Sequence, residues 1–182
     1  MKNGAYILRL TLTLLIITSL VALLLSGVNM ITKDRIAAAK AEKTAKAISA
    51  VLENGETAVE TAFNPAAHPL VTKVYANEFG YAVQGAPAGF GGNIDMMVGV
   101  DKTGAVTGIS IISHTETAGL GAMAADKTAK GEAFREQFAG LSGELAVGDQ
   151  IDAISGATIT SKAVTQGVNA ALALVATMDK EG

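Results

Sequence analysis

The stretch Ile94-Asp95-Met96-Met97-Val98-Gly99-Val100, followed by Asp101-Lys102-Thr103-Gly104 and then Ala105-Val106-Thr107-Gly108-Ile109-Ser110-Ile111-Ile112-Ser113, reads as a β-hairpin. Its flanks are rich in apolar and β-branched residues, which suit a pleated, half-buried surface. The four-residue link is the right length for a hairpin, and Gly104 can take the positive φ it needs. Working backwards, Leu70–Ala76 and Phe79–Gln84 read as two more short strands around Asn77-Glu78. Gly85-Ala86-Pro87-Ala88-Gly89-Phe90-Gly91-Gly92 is a loop, with four glycines and a proline in eight residues. Asn64-Pro65 and His68-Pro69 mark a turn-rich entry.

Working forwards, His114–Gly121 is polar and glycine-rich, and Ala124–Phe138 has helical composition with Phe134 and Phe138 at i and i+4. That pair reads as a core contact. Ile151–Ile154 is a brief strand. Val164, Val168, Ala171, Leu172 and Val175 share one face of a closing helix over Ser161–Met178. Strands in succession with helices at either end predict an α+β domain on a mainly antiparallel sheet. There is no internal repeat.

The amino-terminal part is different. Between Arg9 and Lys33 lie 23 residues without a charge, Leu10–Thr32. As a helix they would reach roughly 34 Å, enough for a hydrocarbon core of about 30 Å. A signal peptide has a shorter apolar region ending in a small-residue cleavage site. Here Ala37-Ala38-Ala39 lies beyond Lys33, Asp34 and Arg35, so an uncleaved anchor is expected. The division is then 1–9 as a short leading segment, 10–32 as a transmembrane anchor, 33–55 as a stalk helix and 56–182 as the main domain. The stalk, rich in alanine and charge, either continues the apolar helix or follows it after a short break; Thr32 can cap its start and Asn54-Gly55 can end it, with Ala37, Ala41, Ile48 and Leu52 near one face. Packing as a core helix of the domain is the other reading of the same segment. Lys33, Arg35, Lys40, Lys43 and Lys46 favour the inside for the domain beyond them, but a long domain is translocated largely regardless of charge, so the side stays open.

From Lys33 onward, 12 Lys and Arg face 17 Asp and Glu, a net charge of −5. That acidic balance with few aromatics argues against nucleic acid as a partner. The lack of cysteine excludes disulfides, iron–sulfur ligation and thiol catalysis. His68 and His114 have no metal-like partner at i+3 or i+4, so no metal site is expected.

Asp152-Ala153-Ile154-Ser155-Gly156-Ala157-Thr158, with Ile159-Thr160-Ser161 after it, puts small and hydroxylated residues before an amphipathic helix. One reading is a helix cap by Thr158, Thr160 or Ser161. The other uses the same exposed N–H groups and helix dipole to hold a phosphate. A threonine hydroxyl is a weak nucleophile without a base, and only Lys162 is adjacent, so another enzyme would have to activate it.

Three blocks carry a family resemblance: Gly89–Ile94 with Val98–Asp101, His114–Gly121, and Asp152–Thr158. With the anchor, the chain resembles the G subunit of the Rnf ion-translocating ferredoxin–NAD oxidoreductase and, more distantly, the C subunit of the sodium-pumping NADH–quinone oxidoreductase. The compact length favours the Rnf type. The resemblance implies an FMN-binding domain outside the cytoplasm, held at the cell (inner) membrane by the amino-terminal helix in the bilayer. It implies a flavin transferase that uses FAD to attach FMN covalently to Thr158 by a phosphodiester, and other membrane subunits as electron-transfer partners. It further implies that Ser155, Gly156, Ala157 and Thr160 shape the attachment turn, and that Glu116, Thr117, Gly119, Leu120 and Gly121 lie against the flavin. Ala118 stands where the family usually has proline. Glu116 can equally be read as a solvated loop carboxylate. No Gly-x-Gly-x-x-Gly context for NADH is present, so the chain is expected to be a redox subunit and not a stand-alone enzyme.

Overall fold

The computed structural model describes residues 2–181. Met1, at the end of the expected segment 1–9, and Gly182, at the end of 56–182, lie outside the described residues. The chain forms two units, one through Glu42 and one from Lys43 onward. Helix α1 runs Lys2–Val51. It is long and apolar enough to cross a membrane, by length and composition. Its apolar residues from Tyr6 to Ile36 are solvent-facing in this unit, which an aqueous surface would not tolerate in such density.

Of the two readings, a stalk continuous with the apolar segment and one set off by a short break, α1 shows the continuous one. The Thr32 hydroxyl donates to the Val28 carbonyl at 2.8 Å within the helix, and does not cap a new one. A hydroxyl four residues along can satisfy itself on the backbone behind it, so a threonine alone does not start a helix.

The second unit begins with the last turns of α1. Ala47, Ile48, Val51 and Leu52 are buried there against Ala82 and Met97. Ala37 and Ala41, expected on the same face, are exposed. After a 3-10 turn at Gly55–Thr57 the strands follow: β1 Val59–Glu60, β2 Val71–Ala76, β3 Gly80–Gly85, β4 Asp95–Asp101 and β5 Val106–Ser113. They pair in sequence order into a five-stranded antiparallel meander. The expected α+β class with its antiparallel sheet is the observed one. The short β1 carries no sequence signal of its own.

Period-two alternation divides the sheet between two cores. Val83, Met96, Val98 and Val100 point to one side, with Val164, Val168, Ala171, Leu172 and Val175 of helix α3 (Thr158–Glu181) in the same cluster. Ala82 and Met97 point to the other side, with the end of α1. Helix α2, Ala129–Glu136, completes the first core through Phe134, whose ring meets Phe138 edge-on at 5.6 Å between centroids.

Three expected boundaries shift. Residues 125–128 are not helical: a 3-10 turn occupies Gly121–Ala124, and α2 starts only after Thr128, whose hydroxyl accepts from Gly131 N, and ends at Glu136, two residues before the expected Phe138. Ile151–Ile154 is not a strand, because only Ile151 bridges, to Val147. Helix α3 starts at Thr158, three residues before the expected Ser161.

Candidate functional site

Thr158 opens α3, and the turn before it is fixed from within. Gly156 adopts φ 76, a left-handed conformation that costs glycine little. Ala157 N donates to Ile154 O at 2.9 Å, closing the turn. Ser161 is buried, and its Oγ accepts from Ile154 N at 2.9 Å while donating to Ala157 O at 3.0 Å. The Thr160 hydroxyl, also buried, donates to Glu116 Oε2. Neither hydroxyl caps the helix, so the capping reading fails for both. Thr158 itself is exposed, and among the described residues its hydroxyl has no protein partner. The first regular helical bond here is Ser161 N to Ala157 O, 3.0 Å. The N–H groups of Thr158, Ile159 and Thr160 therefore face the helix mouth without an intrahelical acceptor.

Two further segments wall this end of α3. The loop between β3 and β4 folds on itself through Gly89 N to Gly92 O, 2.8 Å, and Ile94 N to Pro87 O, 2.9 Å, with Phe90 at its tip. The segment after β5 brackets that loop: Thr115 Oγ1 donates to Gly91 O at 2.8 Å, and Gly91 N donates to Glu116 Oε1 at 2.9 Å. Thr117 O then accepts from Leu120 N and Ala122 N, which turns Leu120 outward. Glu116 is 8% exposed, so it is not a solvated loop carboxylate.

The three segments enclose a cavity of about 330 Å³ lined by Phe90, Glu116, Thr117, Leu120, Gly121 and residues 156–160. Of the predicted residues, Thr158, Gly156, Ala157, Thr160, Glu116, Thr117, Leu120 and Gly121 are brought together here. Ser155 is not: it lines a neighbouring groove with Phe134 and Lys130. Gly119 is not on the wall either, though its φ of 76 sets the bend before Leu120. Phe90 and Ile159 were missed. A lone aromatic amid glycines is the signal that marks Phe90, whereas Ile159 looks in sequence like any core residue of a helix.

From Lys43 onward, four large apolar side chains are exposed among the described residues: Val59, Phe90, Leu120 and Ile159. Three of these four line the one cavity, beside an uncommitted hydroxyl and a helix mouth. A larger groove, about 670 Å³, lies between the β4–β5 turn and α3 around Thr103, Asn169 and Leu172. Its Thr103 hydroxyl is already committed to Asp101 at 2.6 Å. Size alone would choose that groove. The chemistry chooses the smaller one, because an amphipathic ligand with an anionic end needs both an apolar rim and N–H donors.

Residues 89–173, which hold all three walls, match the FMN-binding domain family. Among similar proteins, the G subunit of the Na(+)-translocating ferredoxin:NAD(+) oxidoreductase complex of Acetobacterium woodii is 38% identical over 106 residues, covering 56% of this chain and 51% of the relative. The G subunit of the proton-translocating ferredoxin:NAD(+) oxidoreductase complex of Clostridium ljungdahlii is 42% identical over 104 residues, covering 53% and 54%. The match thus spans about half the length of each of these relatives. The G subunit of an ion-translocating oxidoreductase complex from Methanosarcina acetivorans is 27% identical over 188 residues, covering 98% of this chain and 100% of the relative. The segment that matches the family thus lies in a chain similar to G subunits of such complexes.

Proposed function

We propose that this chain is the membrane-anchored G subunit of an Rnf-type ion-translocating oxidoreductase, with FMN joined covalently to Thr158. The observation that carries the reading is Thr158 itself: an exposed, uncommitted hydroxyl on the first turn of a 24-residue helix, inside a cavity rimmed by Phe90, Leu120 and Ile159. The residues fit the group. The N–H groups of Thr158–Thr160 and the helix dipole favour a phosphate, and the apolar rim favours a planar ring. A bound FMN would supply one- or two-electron transfer, and the protein's part is attachment, orientation and exclusion of water.

For attachment, the Thr158 oxygen attacks the phosphorus of the FMN half of FAD. The new P–O bond forms as the pyrophosphate bond breaks, AMP departs, and the hydroxyl proton passes to a base of the flavin transferase. No histidine or lysine is adjacent to Thr158 in the sequence except Lys162, so the activating group is assigned to that enzyme. Thr117 and Leu120 then lie along the cofactor, with Gly156 and Ala157 leaving it room.

The proposal includes the division into a segment 1–9, an anchor 10–32, a stalk 33–55 and a domain 56–182, with the domain outside the cytoplasm and the neighbouring membrane subunits as electron donors and acceptors. The test is a denaturing gel viewed under ultraviolet light, with intact mass alongside. Chain from transferase-competent cells is expected to fluoresce and to carry roughly the mass of FMN less one water; Thr158→Ala abolishes both. Thr158→Ser keeps part of the occupancy, and Thr158→Val keeps none. A flavin that leaves on denaturation would make the site non-covalent, and equal occupancy in Thr158→Ser and Thr158→Val would remove the hydroxyl's role.

A further inference from the structure

We infer that Glu116 is the positioning residue of this site: its buried carboxylate clamps the Gly89–Gly92 loop to the first turn of α3, and so sets the cavity into which Thr158 opens. The inference rests on the reading of Thr158 as the FMN acceptor, but the clamp is a property of the unloaded chain. One carboxylate oxygen accepts from Gly91 N at 2.9 Å, and the other accepts from the Thr160 hydroxyl. These partners lie 25 residues before and 44 residues after Glu116, on different elements. The space is shaped around this side chain. A Cβ on Gly89 would strike Glu116 Oε1, and one on Gly121 would strike both Thr160 Oγ1 and Glu116 Oε2. The fixing is reinforced on either side, since Thr115 Oγ1 donates to Gly91 O at 2.8 Å and Glu116 N donates to His114 Nδ1 at 3.2 Å.

Two of the cavity's walls thus meet only through this carboxylate among the described hydrogen bonds. Phe90 stands one residue before Gly91, and Thr158 stands two before Thr160. Letting go of the clamp moves the apolar wall relative to the nucleophile. Displacements of about 1 Å are enough to slow a positioned reaction by orders of magnitude. Glutamine has the same length. Its oxygen can accept from Gly91 N while its amide donates to the Thr160 oxygen, so Glu116→Gln keeps the clamp where Glu116→Ala and Glu116→Asp do not.

The experiment uses the full chain in detergent, made without transferase. In Glu116→Ala, hydrogen exchange at Gly91 N–H and at Ser161 N–H should quicken roughly three- to tenfold, the worth of a lost hydrogen bond. Exchange at Val98 N–H, in the sheet, should not change. Glu116→Gln should stay near wild type. On adding FAD and a flavin transferase, intact mass should show attachment at least about tenfold slower in Glu116→Ala and near the wild-type rate in Glu116→Gln. Unchanged exchange at Gly91 in Glu116→Ala overturns the clamp, and so does Glu116→Gln behaving like Glu116→Ala. Should Glu116→Ala fail to fold, Thr160→Val removes one end only, and it must slow attachment without adding to the effect of Glu116→Asp. A wild-type chain that gains no FMN mass sinks the reading of Thr158, while the exchange arm still decides the clamp.

Discussion

Ser161 Oγ accepts the Ile154 backbone N–H at 2.9 Å across a buried gap, and this bond closes the turn from which Thr158 projects. Both partners are sealed from water, so no solvent molecule replaces the acceptor when it is removed. Leaving a buried N–H unpaired costs about 1–3 kcal/mol. Ser161→Ala should therefore lower the unfolding free energy of the domain by that amount, read as a lower denaturant midpoint with an unchanged slope. It should also lower FMN occupancy, because the turn loosens at Gly156. An unaltered midpoint would show that the turn holds without the hydroxyl.

Asn77 should be a second such hub, between the end of α1 and the β2–β3 turn. Its amide nitrogen donates to Glu53 O at 2.9 Å and Asn54 O at 3.1 Å, where α1 ends, and its oxygen accepts from Phe79 N at 2.9 Å. Thr107 Oγ1 donates to Val51 O close by. Late carbonyls of a helix need such donors. Asn77→Ala should destabilise the domain by about 0.5–1.5 kcal/mol, since water can reach the freed carbonyls, read by thermal unfolding of the full chain. A change within about 0.5 kcal/mol, the range of ordinary surface substitutions, would assign the helix end to Thr107 alone.

What sequence could show depends on which interactions are local. The hairpin Ile94–Ser113 was legible because alternation, β-branching and the Asp101–Gly104 turn agree within about twenty residues. The α3 face was legible because Val164, Val168, Ala171, Leu172 and Val175 repeat at helical spacing. The false strand at Ile151–Ile154 shows the converse. A short apolar run has the composition of a strand whether or not a partner strand exists, and Ile151 and Ile154 instead fill the core beneath α3. Ahead of α2, the Arg135 guanidinium donates to the Ala124 and Asp126 carbonyls, at 2.8 and 3.0 Å, a pairing that helical composition does not announce. At the site, the residues in the Thr158 turn were readable from the block itself. The partnership of Glu116 with Gly91 and Thr160 was not, since nothing in the spacing of positions 91, 116 and 160 announces it.

The β4–β5 turn makes stability depend on acid. Asp101 has its carboxyl pKa held below the usual 3.8, first by the Thr103 hydroxyl at 2.6 Å; desolvation opposes this, and the backbone N–H groups of Ala105, Thr103 and Gly104 add to the lowering. A carboxylate whose folded pKa is depressed contributes stability above its unfolded pKa and loses it as pH falls through the lower folded value. Relative to Asp101→Asn, the wild-type chain should therefore be more stable at about pH 6 by under about 1 kcal/mol, the group being partly open to solvent. That advantage should shrink below pH 3.8. A difference between the two chains that stays constant down to about pH 2 would mean the carboxylate's charge contributes nothing to the turn.

Phe90 is 69% exposed at the tip of its loop, so removing the ring from the unloaded chain uncovers almost nothing. Phe90→Ser should leave the unloaded domain within about 0.5 kcal/mol of wild type, as surface substitutions do. Loading changes the comparison. A ring system seated against Phe90, Leu120 and Ile159 takes part of their area out of water, and complete burial of one such side chain contributes about 1.5–3 kcal/mol. The stabilisation that wild type gains on loading should thus fall by about 1 kcal/mol in Phe90→Ser, since only part of the ring is covered. Differential unfolding of loaded and unloaded chains, each with its occupancy fixed by intact mass, measures this directly. Equal gains in both would place the flavin away from Phe90 and leave Leu120 and Ile159 as its apolar neighbours.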